Sequence, residues 1–446
     1  MKSVGIDLGT TTISINVVDD SGPRVWHKET LPNGSFQKTD CSWERIQDVD
    51  QIVGKARTAL EEILGESEDV CAIGLTGQMH GIVYVDEDGK AVSPLYTWQD
   101  GRGDLPVFEG KSVCDLLREN HGINAASGYG VITHLYNLKM GLVPAKAVTF
   151  CTIADYLGMV LTGRKRPLLH VSQGASLGLF DGETQKFRED IALEWGMDPA
   201  FFPEITQGLS VLGSFRGIPV CVSLGDNQAS FLGSVRQAPE TVLVNVGTGG
   251  QISTFSQKRW EAPGIEARPF LKDSFLLVGA TLCGGAAYAA LENFFREYAV
   301  AAGAPDVPQY QVMNDFLEKQ GELKTAWQVQ TTFAGTRENP QDSGSIYGIR
   351  RENFHPASMI RGVLEGMAEE LYQLYRTIQA GTGISKTVLV VSGNGARRNP
   401  VLRKILEDRF QMPLQVVENE EEAAFGAAIS ALGAIGKLSL NQWLGL

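Results

Sequence analysis

The stretch Val4-Gly5-Ile6-Asp7-Leu8-Gly9-Thr10-Thr11-Thr12-Ile13-Ser14-Ile15 decides the fold, because a weaker copy, Leu243-Val244-Asn245-Val246-Gly247-Thr248-Gly249-Gly250-Gln251-Ile252-Ser253, opens a second half of the chain. Each reads as a strand, a tight polar turn and a returning strand, since an apolar, β-branched run stops at Asp or Asn, passes through Gly-Thr and resumes. Such a tip offers backbone N–H groups and hydroxyls to an anion. Two of them in a duplicated fold would hold a polyphosphate, which makes Thr10, Thr11, Gly247, Thr248 and Gly249 the expected phosphate contacts. The competing reading is structural: Thr suits strand edges and Gly suits turns.

The order of elements repeats as well. Residues 24–31 add a third strand to the first hairpin, and Ile52, Ala56, Leu60 and Ile63 recur at helical spacing. Residues 70–76 then form a strand that runs into Gly77-Gln78-Met79-His80-Gly81. In the second half Pro356 suits a first helical turn, with Ile360, Val363, Met367, Leu371, Leu374 and Ile378 on one face, and a strand over 387–391 runs into Ser392-Gly393-Asn394-Gly395. A duplicated α/β fold follows, divided into residues 1–236 and 237–446, since 446 residues exceed one ordinary core. Between the repeats, residues 154–163 read as a helix stopped by glycine, and 220–224 as an apolar strand delivering Gly225-Asp226-Asn227-Gln228. The Ala-rich stretch 423–434 is expected to be a helix whose Gly and Ala allow close approach.

A net charge of −13 argues against a nucleic-acid or anionic-membrane partner, both of which need clustered Lys and Arg. Six cysteines without CxxC spacing read as reduced thiols, and a core strand from Ser3 leaves no room for a leader, so a cytoplasmic protein is expected. The oligomeric state is left open, a homodimer included.

Several side chains carry candidate chemistry. Asp7, at a strand end beside polyphosphate, suits a water-mediated Mg²⁺ partner, because Mg²⁺ keeps several waters and borrows few carboxylates. His80 lies between glycines, which let a ligand approach the backbone. Trp98 and Asp100 flank Gln99 on a glycine-terminated turn, and an indole beside carboxylate, amide and imidazole groups grips a polyol through its C–H faces and hydroxyls. Asp226 is the candidate general base, set against its alternative as a helix cap. Gly393 and Gly395 before a helix leave room for an adenosine, with Arg397 or Asn399 near the base or ribose, or else form a plain tight turn.

Together, Asp7-Leu8-Gly9-Thr10-Thr11, Gly77-Gln78-Met79-His80-Gly81, Trp98-Gln99-Asp100-Gly101-Arg102, Gly225-Asp226-Asn227, residues 333–340, Arg361-Gly362-Val363-Leu364-Glu365-Gly366 and Gly393-Asn394-Gly395 resemble the FGGY carbohydrate kinases. The resemblance implies two actin-like, ribonuclease-H-fold domains around a cleft, with ATP and Mg²⁺ held mainly by the second and a small-molecule sugar by the first. It implies phosphoryl transfer to a terminal hydroxyl with Asp226 as base, and a sugar lined by Gln78, Met79, His80, Trp98, Asp100 and Asn227. Within the family the fit is to ketose kinases: Gln99, Arg166-Pro167-Leu168 and Gln173-Gly174-Ala175-Ser176-Leu177-Gly178 look like the sedoheptulokinases, Asn227 like the xylulokinases. Gly249-Gly250 stands where relatives often place Ser or Thr. The rival from another class is an actin-like ATPase or chaperone, which shares the phosphate tips but lacks a polyol site.

Overall fold

In the computed structural model, which describes residues 1–20, 25–320, 327–336, 339 and 341–446, both hairpins form. Strand Lys2–Leu8 runs antiparallel to Thr12–Asp19 with Asp7 opposite Ser14, and Thr12–Asp19 pairs antiparallel with Val25–Pro32. Arg24, expected to begin that third strand, lies outside the described residues, as do Arg337, Glu338 and Pro340. On its other side Lys2–Leu8 is parallel to Val70–Gly77, the return from helix Val49–Glu66. Asp48 starts that helix by accepting from the Gln51 amide, and its buried stripe of Ile52, Ala56, Leu60 and Ile63 packs into one core with Val4, Ile6 and Leu8.

The second half repeats the scheme. Thr241–Val246 is antiparallel to Gly250–Ser256, which pairs antiparallel with Phe275–Thr281. Thr241–Val246 is also parallel to Val388–Ser392, which continues parallel to Leu414–Val416. Helix Pro356–Thr382, begun by proline and ended at Gly383 with φ 71°, precedes the returning strand.

By packing, the chain forms two units: Met1–Arg236 with Arg268–Ser274 and Glu421–Leu446, and Gln237–Ala267 with Phe275–Glu420. A single cut after residue 236 therefore differs from the packing at Arg268–Ser274 and at the C-terminal end. The reason is steric. Helix Glu422–Ala434 lies directly on the first sheet, where a Cβ on Gly5 would stand 1.9 Å from the Ala424 carbonyl oxygen and one on Gly74 1.9 Å from that of Ala427. Ser3 Oγ donates to the Ala428 carbonyl along the same contact. The same helix meets helix Asp226–Ser234 through Gly426 and Gly233.

Two local expectations change. The run 220–224 is not one strand but two, Ile218–Cys221 and Leu224–Gly225, because Ser223 turns into a buried network with Asp155 and Gln173. The turn after Ser392 holds a helix of its own, Asn394–Arg398, before helix Pro400–Phe410.

Candidate active site

In the first unit three strand ends come level: Asp7 is in register with Thr76, Leu8 with Gly77, and Leu224 and Gly225 with Thr76 and Gly77. Asp226 is the first residue of helix Asp226–Ser234 and Gly225 is its cap, so Asp226 is not the capping residue. A Cβ at 225 would meet Gln228 Oε1 at 2.4 Å and the Met79 thioether at 2.7 Å, so these two side-chain ends lie close over the backbone there. Burial pushes the Asp226 carboxyl above its ordinary range, opposed by the Arg268 guanidinium and the Asn227 amide. Asp7 is pushed to about 8, first by burial and then by Asp226, Glu421 and Glu422. The residue keeps an exposed edge, but Oδ1 is buried and takes no hydrogen bond from the described residues. A half-desolvated carboxylate beside a second one, with a bare oxygen, suits a divalent cation. Among the described residues no group of three or more His, Cys, Asp or Glu is placed to hold a metal, so such an ion would draw its other ligands from water and phosphate.

His80 sits at a tight turn with φ 73°, in which the Gly81 amide donates to the Met79 carbonyl. Its amide donates to Ser176 Oγ at 3.2 Å and its Nδ1 lies 2.7 Å from the Ser176 carbonyl. A carbonyl only accepts, so Nδ1 carries the hydrogen. The ring stacks on Tyr129 at 4.7 Å between centroids. Met79 and Asn227 are buried next to it in sequence and along the strand ends. Gln78 is buried too, and its Nε2 donates to Gln47 Oε1 at 2.8 Å while its own Oε1 is without a partner among the described residues.

Gln47 leads to the first Gly-Thr tip. Its Nε2 donates to the Thr10 carbonyl, Asn33 Nδ2 to the Gly9 carbonyl and the Asn33 amide to the Thr11 carbonyl, at 2.9, 2.8 and 2.9 Å. These three bonds fix the peptide planes of the turn. Trp98, half exposed, donates Nε1 to Thr10 Oγ1 at 3.0 Å. Asp100 departs from expectation. It is 1% exposed, and its oxygens accept from Arg102 Nε at 2.7 Å, Arg102 Nη2 at 3.2 Å and the amides of Arg45 and Arg102. It anchors the turn that carries Trp98, where a buried guanidinium beside the carboxylate satisfies it. Gln47, Asn33, Tyr129 and Arg268 were not singled out from the sequence, where no motif or spacing marks them, and Ser176 stood there only within a stretch that resembles the sedoheptulokinases.

In the second unit the tip Gly247–Gly249 is closed by the Gly247 amide donating to the Gly249 carbonyl at 3.0 Å. The Gly285 and Ala286 amides, in the first turn of helix Gly285–Ala301, donate to the Gly247 and Thr248 carbonyls at 2.9 Å each, and Gly250 donates to Thr281 Oγ1. Gly284 is obligatory, since a Cβ would stand 2.4 Å from the Gly249 backbone. The doublet Gly284-Gly285 is a signal the sequence reading passed over. Thr248 is exposed at the tip. Gly393, with φ 82°, and Gly395 both lie on the end of strand Thr241–Val246, where a Cβ would meet the Val246 carbonyl at 2.5 and 2.8 Å. Asn399 is buried: Oδ1 caps helix Pro400–Phe410 by accepting from the Leu402 amide at 2.9 Å, and its side chain also hydrogen-bonds Tyr288.

With this geometry in place, the chain matches the models for the FGGY family of carbohydrate kinases, N-terminal domain over residues 3–233 and C-terminal domain over 243–435. It is 26% identical to the sedoheptulokinase of Homo sapiens over 483 residues, covering 99% of this chain and 98% of that one. A xyloylose kinase from Brucella ovis superposes with a TM-score of 0.85 at 21% identity, covering 100% of this chain and 92% of the other. Plasmodium falciparum glycerol kinase, solved with ADP, gives 0.83 at 19% identity, with 100% and 92% coverage. The likeness spans the chain and carries the two-domain, actin-like α/β fold.

Proposed function

The chain belongs to the FGGY family of carbohydrate kinases, and from that premise we propose that it transfers the γ-phosphoryl group of ATP to the terminal primary hydroxyl of a ketose, with sedoheptulose the first candidate. The observation that carries the reading is the meeting of Asp7 and Asp226 at the level strand ends beside Gly77-Gln78-Met79-His80. Asp226 accepts the hydroxyl proton as the sugar oxygen bonds to phosphorus and the bond to the ADP oxygen breaks. A carboxyl raised by burial is better matched to that proton than a solvated one. Asp7 is the residue that would hold Mg²⁺, which when bound neutralises phosphate charge.

Gln78, Met79, His80, Trp98 and Asn227 are proposed to meet the sugar. The Nδ1–H tautomer leaves Nε2 of His80 as the imidazole's acceptor position. Thr10, Thr11, Gly247, Thr248 and Gly249 are proposed for the phosphates, and Gly393, Gly395 and Asn399 for the adenosine edge, with the first half of the chain as the sugar side and the second as the nucleotide side. The match to sedoheptulokinase over nearly its whole length supports a seven-carbon ketose. A coupled ADP-release assay against sedoheptulose, xylulose, ribulose, fructose, glycerol and gluconate tests the substrate. The highest kcat/KM is expected for sedoheptulose, and ATP turnover indifferent to every sugar would overturn the kinase reading. Asp226→Ala should lose about 10²- to 10⁴-fold in transfer while retaining ATP binding; near-normal transfer removes Asp226 as base.

A further inference from the structure

A cavity lies wholly within the nucleotide-side unit, and its wall includes Thr281, whose hydroxyl accepts from the Gly250 amide next to the tip. It has a volume of about 480 Å³ and is bounded by helix Pro356–Thr382, the end of strand Phe275–Thr281 and the strands Gln328–Gln330 and Ser345–Tyr347. That volume falls within the range of small-molecule sites, about 300–1,000 Å³. Its electrostatics are one-sided. Of the two acidic residues on its wall, Glu369 is already paired, with Arg409 Nη2 at 2.8 Å and Gln373 Nε2 at 2.6 Å. Glu370 is not: among the described residues its hydrogen-bond partner is the Thr331 hydroxyl at 3.0 Å, and no Lys, Arg or His lines the cavity. Burial raises its carboxyl, with the Thr331 bond opposing.

A phosphorylated or otherwise anionic ligand would meet that carboxylate with no cation among the described lining residues to receive its own charge. An uncharged polyol would leave the carboxylate uncompensated. A cation removes the imbalance, and a charge-assisted N–H···O bond in a partly desolvated wall is stronger than a neutral one. Leu282, Val329 and Leu374 supply apolar wall for the remainder of such a molecule.

We propose that this cavity binds a small organic cation, its ammonium on Glu370 and its apolar body against Leu282, Val329 and Leu374. The site stands independently of the sugar specificity proposed above.

The test is calorimetric titration of the full-length protein, free of nucleotide and sugar, in amine-free phosphate buffer at pH 8. The probes are n-butylammonium and its uncharged counterpart 1-butanol. Saturable one-to-one binding of n-butylammonium is expected, with at least tenfold weaker binding to Glu370→Gln and none of 1-butanol. Gln373 is exposed at the cavity wall, so Gln373→Trp closes the space without disturbing the core, and it should abolish binding. The proposal fails if n-butylammonium does not saturate, if 1-butanol binds as well, or if Gln373→Trp binds it like the parent protein. Unchanged affinity in a folded Glu370→Gln protein overturns it equally.

Discussion

Replacing Asp7 by Asn should stabilise the ligand-free protein while abolishing its activity. In the folded chain the Asp7 carboxyl titrates near 8 instead of its ordinary 3.8, through burial and three neighbouring carboxylates. Below 3.8 the group is protonated in both folded and unfolded chains and contributes nothing. Between 3.8 and about 8 the unfolded chain has released the proton that the folded chain retains, so the parent protein loses stability steadily as pH rises. Each pH unit is worth about 1.4 kcal/mol, which sets a ceiling of about 6 kcal/mol. Asp7 keeps an exposed edge, and solvent screening brings the working figure to about 2 kcal/mol. For units of this size that corresponds to about 4–8 °C in melting temperature. Scanning calorimetry of both proteins at pH 5, 6.5 and 8, without nucleotide or divalent cation, should show Asp7→Asn melting higher, by a margin that widens toward pH 8. A margin independent of pH, or a variant melting lower at pH 8, would refute the account of Asp7 as a carboxylate held against its own electrostatics.

Other perturbations follow from the packing. Asp100→Asn should cost about 1.5–3 kcal/mol in denaturant unfolding, because it removes the carboxylate on Arg102 Nε and leaves the buried guanidinium with Glu44 and Asn137; normal stability with a raised sugar KM would instead make Asp100 a substrate ligand. Gly74→Ala should destabilise by about 1–3 kcal/mol or more, since its Cβ would stand 1.9 Å from the Ala427 carbonyl, while Gly54→Ala, with open space around it, should be neutral or stabilising. Ser176→Ala should raise sugar KM about fivefold with ATP KM unchanged, by freeing the amide that holds His80 in its turn.

The sequence made the frame readable because both halves use local rules. Alternating strands around Gly-Thr tips, Pro356 at a helix start and Gly163 and Gly383 at helix ends are chemistry that neighbouring residues determine, and the structure follows it. What escaped was long-range. Nothing in Ala267-Arg268-Pro269 announces that Arg268 faces Asp226, and nothing in residues 421–446 announces that they pack with the first unit. The glycines at 5 and 74 carry that information only once the helix above them is known. Asp100 shows the converse. A carboxylate beside Trp and Gln resembles a sugar site, but its partner Arg102, two residues on, already satisfies it.

The same long-range bonds explain why the opening hairpin matters beyond its own turn. Thr10 receives two independent contacts from residues proposed to meet the sugar: Gln78 reaches its carbonyl through Gln47, and Trp98 reaches its hydroxyl directly. A tip held only by its own strands would keep its shape whatever lay beside Gln78 or Trp98. This one cannot, since a shift of either side chain strains a bond that orients a proposed phosphate contact. Positioning of acceptor and donor groups dominates the barrier in phosphoryl transfer, and small displacements there are expensive in rate. Through Thr10, therefore, the residues proposed to meet the sugar are hydrogen-bonded to the tip proposed to meet the phosphates, within the first unit.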